Sequence, residues 1–224
     1  MTQLSPPNRK GTKTDYLVIF ILSGSMAVIS QPARAAKREA ILAAAVAQFA
    51  LHGYADTEMG AIGQAAGVAK GTLYLYFKSK EELFLAAVDH ALQRLVEFVF
   101  ESIVCLDDPV AIVRTSFRAI ARFCAKNPEV IELMAAERAA FRDRKPPRHL
   151  FHRDKNSPFF AEIIRRGMAQ GAFRQVDPDL VVQTCGALIQ GLILGARREG
   201  NLDQLVDRAE ESLDLLLRGL LPSS

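Results

Sequence analysis

The chain has no tryptophan, only 8% aromatic residues and three cysteines in 224 positions. Cys105, Cys124 and Cys185 stand far apart within apolar helical patterns, with no Cys-x-x-Cys spacing. An odd, scattered set argues against a disulfide framework, and buried reduced thiols are the expectation. Also lacking is any run of alternating apolar and polar residues that reads as a strand, so the fold class is all-α. No Ser/His/Asp or paired-carboxylate arrangement stands out, and an enzyme is not expected. His149-x-x-His152-x-Asp154 has metal-ligand spacing, but Arg148, Arg153 and Lys155 beside it oppose a divalent ion. Neither a metal nor a cofactor is expected.

What is present is a chain that is 50% hydrophobic, long enough for a full core, with net charge +3. Up to Lys80 there are nine Lys/Arg against four acids, and the remaining 144 residues carry nineteen against twenty-one. A positive head on a mildly negative body suits a protein that presents one end to a polyanion, though an ordinary solvated surface carries the same balance.

Residues 57 to 83 are the most informative stretch. Thr57 is placed to cap a helix whose Met59, Ile62 and Ala66 share a face. Gly67 supplies a positive φ to end it, Val68 plugs the corner, and a second helix starts near Ala69 or Lys70. Leu73 and Phe77, four apart, point inward and leave Lys70, Thr72, Tyr74 and Tyr76 outside. Ser79-x-x-Glu82 is a capping box that opens a third helix. Two short helices around a glycine-containing turn form a helix-turn-helix, whose second helix enters the DNA major groove.

These residues resemble the DNA-binding signature of the TetR/AcrR family of bacterial transcriptional repressors. The resemblance is carried by Thr57, Ile62, Ala66-Gly67-Val68-Ala69, Gly71, Leu73-Tyr74, Tyr76-Phe77, Ser79-Lys80-Glu81 and Leu83. Upstream, Ile41-Leu42, Val46, Phe49 and Gly53-Tyr54 are similar to that family's first helix. Gly63 stands where the family usually has alanine, which should soften its helix by about 1 kcal/mol, and Glu58 replaces a small or hydroxyl residue.

The candidate DNA-binding residues are Thr57, Ala69, Lys70, Gly71, Thr72, Tyr74, Tyr76 and Lys80. Lys70 and Thr72 can reach phosphate or a base edge, and Gly71 lets the helix amino terminus approach the backbone. The resemblance implies that Tyr74 and Tyr76 clamp phosphates, while Tyr74 packed internally is the alternative. Thr57 and Lys80 stand where the family holds the flanking backbone. Arg34, Lys37 and Arg38 either steer the head, entering the minor groove, or form a solvated helix end.

The first residues pull another way. Arg9, Lys10 and Lys13 precede an apolar stretch from Tyr16 to Ile29, and Ala33-Arg34-Ala35 follows. That is a passable secretory signal, too short for a transmembrane helix of about 20 residues. Translation from Met26 would yield a short arm leading straight into the first helix. Residues 1–31 are accordingly expected to be a disordered or mis-assigned extension of a cytoplasmic protein with no membrane. An exported or membrane-tethered helical protein is the alternative.

The first helix should run from about Pro32 to His52, and a fourth from Lys80 to about Cys105. Beyond that, a polar residue before proline recurs at Asp108-Pro109, Asn127-Pro128, Ser157-Pro158 and Asp177-Pro178, each placed to start a helix. The stretch from Arg142 to Ser157, basic and proline-containing, reads as a loop. The expected organisation is a helix-turn-helix domain over 32–80, joined through a long helix to a larger helical domain over 81–224. The resemblance implies that this larger domain binds an unknown small-molecule effector and dimerises. Pocket candidates are Phe117, Ile120, Met134, Phe141, Phe160, Ile164 and Met168, though any one of them is more often plain core than a ligand contact. The segment from Val181 to Gly195 is apolar almost all round, and its glycines suggest close approach to another helix. Candidates for a homodimer interface are Gly186, Ile189, Gly191, Ile193, Gly195, Leu213, Leu216 and Leu217; a helix pair closing the chain's own core is the alternative. The partners implied are a double-stranded, pseudo-palindromic operator and a second copy of the chain.

Overall fold

A computed structural model describes residues 32–142 and 147–220. The signal-like segment and Met26 lie outside the described residues. Among those described there are nine α-helices and no strand: α1 (Pro32–Asp56), α2 (Met59–Ala65), α3 (Lys70–Tyr76), α4 (Lys80–Ile103), α5 (Pro109–Lys126), α6 (Pro128–Ala140), α7 (Arg148–Ala169), α8 (Pro178–Glu199) and α9 (Leu205–Arg218). Residues 38–224 form one unit, and everything below concerns it unless stated; of residues 1–37, the described part is the opening of α1.

Local chemistry sets most of the boundaries. α1 breaks at Gly53, which adopts φ 73° and ψ 178°, and helical backbone resumes to Asp56. Ser79 Oγ accepts from Glu82 N at 3.1 Å, while the Glu82 carboxylate accepts from Lys78 N at 2.7 Å. The capping box thus closes one residue further upstream than its usual form. Asp108 caps α5 through Ala111 N (2.6 Å), and Asp177 caps α8 through Asp179 N (3.0 Å).

The other two polar–proline pairs act differently. Asn127 turns back, its Nδ2 donating to Phe123 O at 2.8 Å, so it closes α5 and offers α6 no side-chain cap. Ser157-Pro158 starts nothing: α7 runs through it from Arg148 to Ala169. Proline lacks the N–H that would bond the Asp154 carbonyl, and the Ser157 hydroxyl donates to that carbonyl instead, at 3.1 Å. The expected loop from Arg142 to Ser157 is therefore helical from residue 148 onward.

Two apolar cores result. The first joins α1 to α4 (Ile41, Phe49, Ile62, Leu73, Phe77, Leu83, Phe84, Val88) and reaches Phe123 of α5 and Val130 and Leu133 of α6. The second joins α5, α6, α7, α8 and α9 through Phe117, Ile131, Ile164, Ile189, Ile193, Leu213 and Leu217. Ion pairs of Arg114 with Asp214 and of Arg118 with Glu210 fasten α5 to α9. Arg197 of α8 grips Glu132 of α6 with two bonds of 2.7 Å.

Candidate nucleic-acid interface and internal cavity

The turn between α2 and α3 is tight. Gly67 takes φ 66°, and Val68 N donates to Gly63 O at 2.9 Å. A Cβ on Gly63 would lie 2.9 Å from the Val68 carbonyl and 3.4 Å from Leu73 Cδ1. The expected softening of α2 is therefore accompanied by a packing gain: without a side chain, α2 closes directly on the turn. Leu73 is fully buried and Phe77 nearly so, as their spacing required.

That anchoring leaves a distinct outer face. Ala69, Lys70 and Gly71 are exposed, and Thr72 and Tyr76 are half-buried. Tyr74 is 46% exposed, which takes it out of the core packing weighed as its alternative role. Between the two tyrosines stands Leu75, 77% exposed and absent from the candidate set. Its signal was present: once Leu73 and Phe77 face inward, residue 75 falls on the opposite side of α3. An exposed apolar side chain on a major-groove helix suits a thymine methyl.

Two candidates face elsewhere. Thr57 is buried, and its hydroxyl donates to Gly53 O at 2.6 Å, with Gln48 O 3.2 Å away. It braces the break in α1 and does not cap α2, whose N-cap position is Glu58. Lys80 Nζ donates to Ala55 O at 2.7 Å and lies 5.0 Å from the Tyr54 ring centroid. Its charge is engaged in tying α4 to the end of α1. Arg38 lies 5.4 Å from the Phe77 ring, and Arg34 and Lys37 are exposed on the first turns of α1.

A cavity of about 240 Å³ lies among α4, α5, α6, α7 and α8. Phe117, Ile120, Met134, Phe160 and Ile164 line it as expected, joined by Leu92, Leu95, Val96, Val99 and Phe100 of α4. Phe141 and Met168 do not. Phe141 packs on Tyr54 and Phe84, at 5.1 and 5.8 Å between centroids, within the first core. Met168 lies one turn beyond Ile164, where its sulfur accepts from Val176 N at 3.4 Å in the second core.

The wall is mostly apolar: Ser116 of α5 and Gln190 of α8 are polar, and the amino-terminal turns of α7 contribute His149, His152, Arg153 and Asn156. These were read as loop residues, so their helical spacing was missed. His149 Nε2 lies 2.8 Å from Gln190 Nε2 of α8, and its Nδ1 is buried with no hydrogen-bond partner among the described residues. Burial, then the charges of Arg138 and Arg153, pushes the His149 pKa down to about 4 and keeps the ring neutral. His152 and Arg148 instead meet Asp89 of α4, at 3.3 and 3.1 Å. The buried Glu137 of α6 accepts from Arg148 N at 3.0 and 3.2 Å. Burial raises the Cys185 thiol at the cavity wall to about 11 and Cys124 to about 12, which suppresses their thiolates. Cys105, expected to be buried, is exposed just past α4.

Comparison with known proteins decides what this arrangement belongs to. Residues 41–87 match the family described as bacterial regulatory proteins, tetR family, and residues 109–193 match the tetracyclin repressor-like C-terminal domain. The chain belongs to the TetR family. It is 28% identical over 151 residues to the HTH-type transcriptional repressor KstR2 of Mycobacterium tuberculosis, covering 65% of this chain and 74% of that one. A match of 38% over 63 residues to the fatty acid metabolism regulator protein of Bacillus subtilis spans 28% of this chain and only 32% of that protein. In fold it resembles SmeT, the repressor of the Stenotrophomonas maltophilia multidrug efflux pump SmeDEF, with TM-score 0.69, 24% identity and coverage of 84% and 91%. This TetR-family chain is thus a DNA-binding transcriptional regulator with a helix-turn-helix head.

The interface candidates on α8 and α9 divide. Ile189, Ile193, Leu213 and Leu217 are buried in the chain's own second core. Gly186 makes its close approach to α7, where a Cβ would sit 3.3 Å from Arg153 Cδ. Leu216 is half-buried against the second core. Gly191 is exposed and Gly195 half-exposed, and a Cβ on either would meet nothing within 4 Å. With Leu180 (59% exposed), Thr184 and Ala187, they form one outward stripe of α8 at helical spacing, and Leu215 of α9 is also exposed. α8 is long and apolar enough to cross a bilayer by length and composition, a test that core helices also pass.

Proposed function

We propose that the chain is a ligand-responsive repressor that binds a pseudo-palindromic operator as a homodimer and is released by a small apolar or amphipathic molecule. The observation that carries this reading is that α4 belongs to both halves of the problem. Its Leu83, Phe84 and Val88 sit in the core that holds the helix-turn-helix, and its Leu92, Val96 and Val99 line the cavity. Residues 32–80 act as the DNA-binding domain and residues 81–224 as the effector and dimerisation domain. On DNA, Ala69, Lys70, Gly71, Thr72, Tyr74 and Tyr76 make the contacts, joined by Leu75. Dimerisation through the small-residue stripe of α8 and through α9 sets two such heads about 34 Å apart, one turn of duplex. A ligand that binds the released state more tightly loses affinity for the DNA-bound form by the same factor. Such a regulator works in the cytoplasm; export, suggested only by residues 1–31, is not favoured for a chain with this head.

The test is quantitative binding of the full chain to DNA upstream of its own gene, footprinted and repeated across salt. A symmetric protected site, lost on Lys70→Ala with Tyr76→Ala, is the expected result. Equal, unlocalised binding to every fragment of a genomic library would refute the operator reading.

A further inference from the structure

The cavity-facing side of α7 changes character along its length. His149, His152, Arg153 and Asn156 lead into Phe160 and Ile164, so one helix face supplies a polar end and an apolar end of the wall. A carboxylate already stands beside this polar end, against the lining residue His152. Asp89 of α4 places Oδ1 3.3 Å from His152 Nε2 and Oδ2 3.1 Å from Arg148 Nη1, one oxygen to each of two α7 residues a turn apart. A ring nitrogen facing a carboxylate carries the proton, so α7 presents donors to both oxygens. Beside this pair, His149 Nδ1 is buried and has no partner among the described residues, and Gly186 lets the stem of Arg153 lie across α8.

We propose that the cavity takes a compact amphipathic carboxylate, whose head binds His149, His152 and Arg153 in exchange for Asp89. This rests on the cavity being the effector site. The choice of head follows from the charges around the polar end. An ammonium head would meet Arg138, Arg148 and Arg153, and a neutral head would leave Asp89 in place. A carboxylate head takes Arg153 in competition with Asp154, which now holds its guanidinium at 2.8 and 3.0 Å. A ligand carboxylate competes with Asp89 for His152, the one α7 donor that both can reach. It thereby loosens the tie between α7 and α4, the helix carried into the DNA-binding core. The tail runs along Phe117, Phe160, Ile164 and Ile189. Each methylene that still finds wall should tighten binding about fourfold. Asp89 acts here as a positioning residue, an internal stand-in for the ligand.

The experiment uses the full chain with N-phenyl-1-naphthylamine, an apolar fluorescent probe, displaced by decanoate, 1-decanol and decylamine at one pH. The expected result is saturable probe binding, reduced by Ile120→Trp, with decanoate displacing it at concentrations at least tenfold below the other two. Asp89→Asn should tighten decanoate several-fold and leave decanol unchanged, which a merely structural aspartate would not do. Arg153→Met should shrink the preference for decanoate. Probe binding without a carboxylate preference, or decanoate weakened by Asp89→Asn, overturns this proposal and leaves the effector cavity standing. No saturable probe binding to the native chain overturns the cavity reading and this proposal with it.

Discussion

Replacing Lys80 by methionine separates two roles that its position allows. If Lys80 served only a DNA phosphate, Lys80→Met would leave folding stability within about 0.5 kcal/mol. The geometry requires more. Its ammonium donates to the Ala55 carbonyl at 2.7 Å and sits 5.0 Å from the Tyr54 ring. An exposed hydrogen bond contributes about 0.5–1.5 kcal/mol, and an exposed cation–π contact adds about 0.5–1 kcal/mol. The variant should lose about 1–2.5 kcal/mol in urea denaturation at unchanged m-value, a fall of several degrees in Tm for a chain of this length. On non-specific duplex DNA, the slope of log K against log salt should stay at the native value, because no phosphate contact is removed. Lys70→Ala should do the opposite, keeping stability and reducing the slope by about 0.9 per head. Native stability together with a reduced slope in Lys80→Met would refute the bracing role.

Three further outcomes follow from the packing. Gly167→Ala places a Cβ inside the contact distance of the buried Phe173 ring; overpacking of about 1–3 kcal/mol should exceed the gain in helix propensity of about 1 kcal/mol, and a midpoint in urea at or above native would contradict it. A Cβ on Gly191 meets nothing within 4 Å among the described residues, and the position is exposed, so for Gly191→Leu the fold should keep its stability while sedimentation shows a shift from dimer to monomer; an unchanged dimer would remove the α8 stripe from the interface. The His149 pKa falls from 6.5 to about 4 on folding, so the unfolded chain binds the extra proton, and stability is lost as pH falls from about 6.5 toward 4. The loss is at most about 3 kcal/mol, cut toward 1 by solvent at its open edge, and His149→Gln should flatten the stability–pH curve across that window; an unaltered curve would show that the ring is not held neutral.

The short-range features were determined by the sequence alone. Leu73 and Phe77 at a spacing of four, the positive φ of Gly67, and the Ser79, Asp108 and Asp177 caps all act within one or two turns, where local chemistry is decisive. The helix-turn-helix and the outward set on α3 were therefore legible, and Leu75 could have been read from the same pattern. What involved partners distant in sequence was decided by the tertiary structure. Thr57 and Lys80 stand at helix starts in the sequence, yet carbonyls of α1 claim both. Phe141 and Met168 fall on apolar stripes, and only the placement of the two cores shows that neither faces the cavity. Gly186 and Gly191, five residues apart on one helix, look alike until α7 is found against the first and nothing among the described residues within reach of a Cβ on the second. Ser157-Pro158 carries the same starting signal as Asp108-Pro109, but α7 continues through it because one hydroxyl satisfies the carbonyl that proline leaves. The polar end of the cavity follows from that continuation: only a helix beginning at Arg148 sets His149, His152 and Arg153 toward α4 and α8.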